Sequence, residues 1–147
     1  MEEPLWKPTD DQVRQSNMSQ FMAHVAERWG VDVATTDALH VFSINEREKF
    51  WQSVIDFAGI KAETWGDEGG ERVLVDGDKM PGAVWFPDAR INFAENILRR
   101  HDDAEAMVFW GEDKVKRRLS FQDFYDEVSV LSQALRKFGV EPGDRVA

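Results

Sequence analysis

Hydrophobic positions near the start of the chain repeat with the period of a helix. Thr9 and Gln12 have the spacing of a capping box, in which the first side chain accepts from the backbone three residues on. Gly30 supplies a stop, because glycine readily takes the left-handed conformation that ends helices. One helix is therefore predicted between these signals. Its apolar positions are Val13, Met18, Phe21, Met22, Val25 and Trp29.

A second helix is predicted from Ser43, which with Glu46 has the same capping spacing, to Gly59. The residues from Val31 to Val41 lack a clear period and are predicted to connect the two helices. The second helix carries one apolar face, made of Phe50, Trp51, Val54, Ile55 and Ala58.

Turn residues dominate the stretch from Trp65 to Gly82, within which Arg72–Val75 is predicted as a short strand. Trp85–Asp88 follows as a turn with bulky side chains. Asn92 is predicted to cap a short helix. That helix carries Phe93, Ile97 and Leu98.

The pattern changes after Asp103. The compact apolar run Ala106–Trp110 predicts a buried strand. Gly111–Asp113 turns the chain, and the charged run Val115–Leu119 predicts an edge strand. A hairpin is therefore expected.

The most regular helical pattern begins at Ser120, which with Asp123 forms a capping box, and ends at Gly139. Its apolar positions are Phe121, Phe124, Tyr125, Val128, Leu131, Leu135 and Phe138. Pro142-Gly143-Asp144 is turn chemistry. Arg145–Ala147 then reads as a strand that has only begun, so we expect the 147 residues to be the front of a larger chain.

These elements predict a mixed α/β fold in two regions. Residues 1–103 form a helical segment with long loops. Residues 104–147 run strand, turn, strand, helix, turn and strand, and form an incomplete α/β layer.

Composition narrows the classes of function. A content of 42% hydrophobic and 31% charged residues indicates a globular protein. The net charge of −10 argues against nucleic-acid and anionic-membrane partners. The sequence has no cysteine, which excludes thiol chemistry, and its first residues do not resemble a signal peptide. A cytoplasmic location is expected.

Candidate chemistry is sparse. The sequence contains no phosphate-binding loop of the G-x-x-x-x-G-K-[ST] type. Gly66, Gly69 and Gly70 lie among carboxylates that would repel phosphate, so a solvated turn is favoured. The three histidines, at positions 24, 40 and 101, are far apart and are interpreted as structural or surface residues. We therefore expect no metal site within this chain.

Three other groups of residues bear on the function. His101-Asp102-Asp103 is not expected to be a catalytic triad, because adjacent residues do not orient each other and no G-x-S-x-G motif is present. The basic run, comprising Lys114, Lys116, Arg117 and Arg118, favours edge-strand protection over phosphate binding. The many aromatic residues predict either a local core or a docking surface. They are Trp6, Trp29, Phe50, Trp51, Phe57, Trp65, Trp85, Phe86 and Phe93.

Several stretches resemble short-chain acyl-CoA synthetases, which are adenylate-forming enzymes. PLWKPTDDQVRQSNMSQFM, FSINEREKFWQSVIDF and WFPDARINFAENIL are most similar to the acetoacetate-activating members, and RLSFQDFYDEVSVLSQALRKFGVEPGDRVA is similar to the opening of their large adenylate-forming domain. The likeness covers nearly the whole chain. Asp88 stands where the family commonly has Gly, and Ile55 stands where Trp is common. Trp85, Phe86, Asn92 and Asn96 match the family motif and are interpreted as structural.

The resemblance implies that residues 1–103 are the amino-terminal helical segment and that residues 104–147 begin the AMP-binding domain. It implies a parent that joins acetoacetate to CoA, with ATP, Mg²⁺ and CoA bound downstream of Ala147. No catalytic, cofactor-binding or metal-binding residue is therefore assigned in this chain, which alone is expected to be inactive. Residues 1–103 are expected to dock on the remainder of the same chain. An acetate- or propionate-CoA ligase fragment and a free-standing acidic adaptor remain as alternatives.

Overall fold

The computed structural model describes residues 5–66 and 72–146, in two compact units, Met1–Ile91 and Asn92–Ala147. It confirms the mixed helix and strand composition. The helices are α1 (Asp10–Arg14), α2 (Asn17–Trp29), α3 (Thr36–Asn45), α4 (Arg47–Ala58), α5 (Phe93–Ile97) and α6 (Phe121–Lys137). The strands are β1 (Leu74–Val75), β2 (Val84–Trp85), β3 (Glu105–Trp110) and β4 (Lys116–Ser120). Within residues 5–66 and 72–146, no helix is long and apolar enough to cross a membrane.

The first predicted helix is two helices, α1 and α2. The capping box of Thr9 and Gln12 is confirmed at the start of α1. The chain then leaves the helical conformation at Ser16, whose ψ is 145° and whose hydroxyl accepts from the Ser19 N–H at 3.2 Å. A local side-chain bond of this kind competes with helix continuation. Gly30 ends α2 in the left-handed conformation, with φ 64°, as predicted.

The connection predicted from Val31 to Val41 is wrong from Thr36 onwards, because α3 begins there after the Thr35 cap. The predicted cap at Ser43 is also wrong. Ser43 lies inside α3 and donates to the His40 carbonyl at 2.7 Å. Glu46 is instead the junction between α3 and α4, and its side chain makes no capping hydrogen bond. The spacing was correct for a capping box, but the backbone at Ser43 was already helical.

Helices α2, α3 and α4 surround the core of the first unit. Its buried residues are Val25, Val33, Leu39 and Phe42, and partly buried side chains including Phe21, Met22, Trp29 and Phe50 pack on them. Two of the buried residues belong to α3, so the unpredicted helix supplies half of this core. Gly59 ends α4 with φ 61°, as predicted.

One polar side chain, Ser53, is fully buried on α4. Its hydroxyl accepts from the indole N–H of Trp29 at 2.8 Å and donates to the Lys49 carbonyl at 2.8 Å. Buried polar groups are stable when they are hydrogen-bonded, so this serine joins α2 to α4 without an unsatisfied atom. The periodicity of α4 did not reveal it, because a pattern of apolar positions carries no signal for a buried serine.

A two-stranded antiparallel sheet closes the first unit. The predicted strand near Arg72 is confirmed at β1, and its partner β2, which was not predicted, pairs Leu74 with Trp85. Beside it, the Phe86 N–H donates to the carbonyl of the buried Val73 at 2.8 Å. The predicted solvated glycine turn falls largely on residues 67–71, outside the described residues.

The second unit contains the predicted hairpin and its helix. β3 and β4 pair antiparallel, and the predicted caps of α5 by Asn92 and of α6 by the Ser120–Asp123 box are both present. The predicted burial of Ala106–Trp110 is wrong for this chain, since Trp110 is 65% exposed. Within the described residues the sheet has two strands, which is too narrow to cover an apolar strand on both faces.

The chain turns again after α6. The Asp144 N–H donates to the Glu141 carbonyl at 3.1 Å, and the Asp144 carboxylate accepts from the Glu141 N–H at 2.8 Å, which confirms the predicted turn. Arg145 and Val146 are not in a strand, and Ala147 lies outside the described residues. The proposed domain boundary at residues 103/104 stays a prediction, although the compact units divide at 91/92.

Candidate functional site

The histidines do not form a site in the part of the chain that the structure describes. His24 lies on α2 with its ring 5.8 Å from that of Phe57, and its buried Nε2 has no hydrogen-bond partner. His101 packs edge-on against Tyr125, with ring centroids 4.2 Å apart. No three histidine or carboxylate side chains among residues 5–66 and 72–146 are placed to hold a metal ion.

Asp102 has a structural environment. Its carboxylate accepts from the Arg100 guanidinium at 2.9 and 3.0 Å and from the Ala104 N–H at 3.0 Å. The Arg100 hydrogen bonds lower the pKa of Asp102, with a further contribution from the Ala104 N–H. Because its acceptor atoms are used in this way, Asp102 shapes the loop before β3 and does not orient His101.

The basic run on β4 is engaged by neighbouring side chains. Arg117 forms an ion pair with Glu127 of α6, and Arg118 forms one with Glu105 of β3. The Lys116 ammonium lies 4.4 Å from the centroid of the exposed Trp110 ring. These contacts fit the predicted edge-strand role better than an anion site, because two of the cations already have carboxylate partners.

The aromatic residues of the first unit form a continuous series of ring contacts, named here the aromatic ladder. It runs through Phe57, Phe21, Phe50, Trp51 and Trp85, with successive centroids 5.3, 5.8, 5.5 and 5.7 Å apart. All four contacts are edge-to-face, the arrangement that aromatic quadrupoles favour. Phe21 and Phe50 pack on the core, whereas Trp51 and Trp85 are 43% and 39% exposed at one end, and Phe57 is 39% exposed at the other. The ladder is therefore both a local core and an exposed surface.

The turn after β2 is fixed by a second set of contacts. Phe86 has φ 45°, and its ring lies 6.0 Å from that of Trp65. The Asp88 carboxylate binds the Arg72 guanidinium at two points, of which the Nε contact is 2.7 Å. A β-carbon at Gly66 would lie 2.5 Å from that of Asp88, so a larger residue there requires Asp88 to move. Asp88, the departure from the family's usual glycine, thus has an ion-pair partner here.

A second exposed apolar surface, named the hairpin surface, lies on β3 and β4. It is a mostly apolar groove of about 470 Å³. The lining residues are Met107, Val108, Phe109, Val115, Arg117 and Leu119. In the same unit, Leu131 of α6 and Phe138, the residue that caps the end of α6, are also exposed. Large contiguous apolar surfaces of this kind are typical of interaction sites.

The candidate functional features are therefore two docking surfaces: the exposed end of the aromatic ladder and the hairpin surface. Sequence reasoning named most of their residues as aromatic or apolar, but not how they pair. The contact of Trp51 with Trp85 joins residues 34 positions apart, and no local signal indicates it.

Comparisons with known proteins show what this chain is similar to. The family described as "Acetyl-coenzyme A synthetase N-terminus" matches residues 36–97. The acetoacetyl-coenzyme A synthetase of Rhizobium meliloti (strain 1021) is 44% identical over 99% of this chain and 22% of its own length. The malonamoyl-CoA synthetase of Penicillium aethiopicum is 31% identical over 99% of this chain and 20% of its own length. The chain thus spans about a fifth of the length of the curated relatives it matches.

A solved structure agrees with these relatives. The acetoacetyl-CoA synthetase from Streptomyces lividans matches with a TM-score of 0.80 and 34% identity, over 99% of this chain and 22% of that one. The match covers the helical unit and the hairpin unit together, so the similarity is one of sequence and fold. The chain therefore belongs to the acyl-CoA synthetase family and matches the amino-terminal region of acetoacetyl-CoA synthetases over nearly its whole length.

Proposed function

We propose that this chain is the amino-terminal part of an ATP-dependent acetoacetate-CoA ligase. In that reaction the acetoacetate carboxylate attacks the α-phosphorus of ATP, which forms acetoacetyl-adenylate and releases pyrophosphate. The CoA thiol then attacks the acyl carbon, and AMP leaves. The names of the relatives support this choice of acid, since the Rhizobium meliloti protein and its rat and macaque counterparts are all acetoacetyl-CoA synthetases.

The role of this part of the enzyme is to dock on the remainder and not to carry the chemistry. The observation that carries this proposal is the half exposure of Trp51 and Trp85 at the end of the aromatic ladder. Two adjoining indoles left partly in water forgo a large part of the roughly 1.5–3 kcal/mol that burying a large apolar side chain contributes. A covering surface in the parent would recover that free energy.

We infer that the cofactors of the reaction are held outside the described residues. Mg²⁺ supplies charge neutralisation of the transferred phosphates when bound, and it requires oxygen ligands that converge. No group of three carboxylate or histidine side chains within residues 5–66 and 72–146 does so. The cations of β4 are engaged with Glu127, Glu105 and Trp110. We therefore derive no step of the reaction through the described residues, and expect the ATP, Mg²⁺ and CoA sites to lie elsewhere in the parent.

A second candidate function is activation of another short-chain acid. It is favoured by the description of the matching family, which names acetyl-coenzyme A, and by the malonamoyl-CoA synthetase among the relatives. Both matches involve the same region of this chain, so this region occurs in proteins named for different acids. In this second function the parent activates acetate or propionate.

Assay of the parent separates these two functions. With ATP, Mg²⁺ and CoA, we expect pyrophosphate and AMP release to have the highest kcat/KM on acetoacetate, compared with acetate and propionate. A higher value on acetate or propionate would select the second function. The 147-residue chain, assayed alone under the same conditions, is expected to release neither product above a blank, and clear turnover by the pure chain would refute the docking role.

The adaptor alternative belongs to a different class and has its own test. The coding sequence beyond Ala147 distinguishes it from a ligase. A Ser/Thr/Gly-rich loop that ends in Lys would supply the phosphate-binding element of a ligase. A stop codon directly after Ala147 would instead favour a free-standing acidic adaptor and would contradict the proposed function.

A further inference from the structure

The two edges of the β3–β4 hairpin are chemically different. The Gly111 N–H donates to the Val115 carbonyl at 2.7 Å, which defines the first hydrogen-bonded pair of residues between the two arms of the hairpin. In an antiparallel ladder, opposed residues alternate between pairs that exchange hydrogen bonds and pairs that do not. The register therefore makes Phe109 and Arg117 a bonded pair.

By the same alternation, two opposed pairs of the hairpin do not bond to each other. They are Trp110 with Lys116 and Val108 with Arg118. Their backbone N–H and C=O groups point away from the partner strand. The free edge of β3 is thus formed at Val108 and Trp110, and the free edge of β4 at Lys116 and Arg118.

Only one of these edges has the features that discourage strand addition. Lysine and other long charged side chains blunt an edge strand, and β4 carries a cation at both outward positions. β3 carries valine and tryptophan there, and both side chains are exposed, Val108 by 47% and Trp110 by 65%. An apolar strand exposed on both faces is typical of the interior of a sheet. The side chains therefore favour pairing of a further strand with the β3 edge over pairing with the β4 edge.

The course of the chain indicates which segment comes to that edge. β4 leads directly into α6, and the ion pair between Arg117 and Glu127 holds the helix to the hairpin. The turn at Glu141–Asp144 then reverses the chain. A strand reached from another strand through a helix lies parallel to it in the same sheet, by a right-handed crossover. A strand that begins at Arg145 and joins this sheet would therefore run parallel to β4 and antiparallel to β3.

We propose that the segment beginning at Arg145, continued in the parent polypeptide, pairs antiparallel with the free edge of β3. This inference rests on the proposed function, because it needs a parent longer than 147 residues. The relatives supply a measure of that length, since this chain spans 22% of the Rhizobium meliloti protein. The strand would bond the outward groups of Val108 and Trp110 and extend the sheet beyond β3.

Amide hydrogen exchange, measured residue by residue in the parent and in the 147-residue chain, tests the pairing. The Val108 and Trp110 amides are expected to exchange at least about a hundredfold more slowly in the parent, because exchange then requires the strands to separate. The Phe109 amide, bonded to Arg117 in both proteins, is the internal reference. Fast exchange at Val108 and Trp110 in the parent would overturn the inference. Alternatively, the Val108 and Trp110 amides could be protected in the 147-residue chain itself, to a degree that rises with protein concentration. That result would assign the β3 edge to a second copy of the chain and would also overturn the inference.

Two matched proline variants of the parent provide a second readout. Val108→Pro and Arg118→Pro replace directly opposed residues, and each removes an outward N–H without removing a backbone hydrogen bond between β3 and β4. Arg118→Pro also removes the ion pair with Glu105, so Arg118→Ala, which removes only that ion pair, is measured beside it. Val108→Pro is expected to return the Trp110 amide to fast exchange, whereas Arg118→Pro leaves it slow. Equal effects of the two variants would contradict the choice of edge.

Ligase activity, measured on the same samples, keeps the two proposals apart. An active parent whose Val108 and Trp110 amides exchange fast would overturn only the strand pairing. A parent that shows no ligase activity but protects both amides would overturn the proposed function and support the pairing.

Discussion

Replacing Ser53 by alanine tests how α2 is joined to α4. The side chain is fully buried, and its hydroxyl is the partner of the Trp29 indole N–H at 2.8 Å. Ser53→Ala removes that acceptor and leaves the partly buried indole N–H of Trp29 without its partner. The Lys49 carbonyl, which accepts from the same hydroxyl, loses one of its hydrogen bonds as well.

The magnitude follows from what is left unsatisfied. A buried donor that loses its partner costs about 1–3 kcal/mol, whereas a carbonyl has a second lone pair and suffers less. Alanine favours a helix over serine by a few tenths of a kcal/mol, which offsets a small part of this loss. We therefore expect Ser53→Ala to lower the free energy of unfolding by about 1–3 kcal/mol, against a total of about 5–15 kcal/mol for an ordinary domain.

Urea unfolding of the 147-residue chain, followed by far-ultraviolet circular dichroism, measures the change. Ser43→Ala is the matched control, because Ser43 lies within α3 of the same unit and is only partly buried, and its hydroxyl donates to a carbonyl of its own helix, so its replacement carries the same gain in helix propensity. Surface-type changes of this kind usually stay within about 0.5 kcal/mol. If Ser53→Ala and Ser43→Ala had equal unfolding free energies, the bond to Trp29 would contribute nothing and the reasoning would fail.

Three further predictions concern the rest of the chain. Asp88→Gly restores the residue common in the family but removes the ion-pair partner of Arg72. Since both side chains are partly exposed, we expect the free energy of unfolding, measured in urea, to fall by at most about 1 kcal/mol. A fall several times larger would contradict the surface character of the pair. Hydrogen bonds from the Ser120 N–H and hydroxyl lower the pKa of Asp123. Its stabilisation of α6 is therefore complete above the ordinary carboxyl pKa of about 3.9 and is lost as the pH falls through the lower folded value, so the acid dependence of α6 amide exchange should weaken in Asp123→Asn. The exposed Leu131 and Phe138 lead us to expect that the chain binds the dye ANS and that residues 92–146 lose amide protection at lower urea than α2 and α4; a single transition without ANS binding would refute this.

Much of the secondary structure was determined by interactions within a few residues, which a single sequence displays. The caps at Thr9, Asn92 and Ser120 and the glycine ends at Gly30 and Gly59 all appear where predicted. Each depends on one side chain and the backbone three or four positions away, or on one residue's access to positive φ. Such signals need no knowledge of what packs against the helix.

The same signals failed where neighbouring structure overruled them. The Ser43–Glu46 spacing is that of a capping box, but α3 already includes Ser43 because Leu39 and Phe42 are held in the core. Local propensity differs between conformations by only a few tenths of a kcal/mol, whereas burying a large apolar side chain contributes about 1.5–3 kcal/mol. Packing therefore decided where that helix begins.

The candidate site depended on the tertiary structure throughout. The sequence displayed the tryptophans, the basic run and the apolar strand, which are properties of single residues and short runs. Only folding brought Trp51 to Trp85, placed Ser53 beneath Trp29, and set the hairpin register that directs Val108 and Trp110 to a free edge. These contacts join residues far apart in the chain, and each exists because the whole arrangement buries apolar surface and satisfies buried polar groups at once.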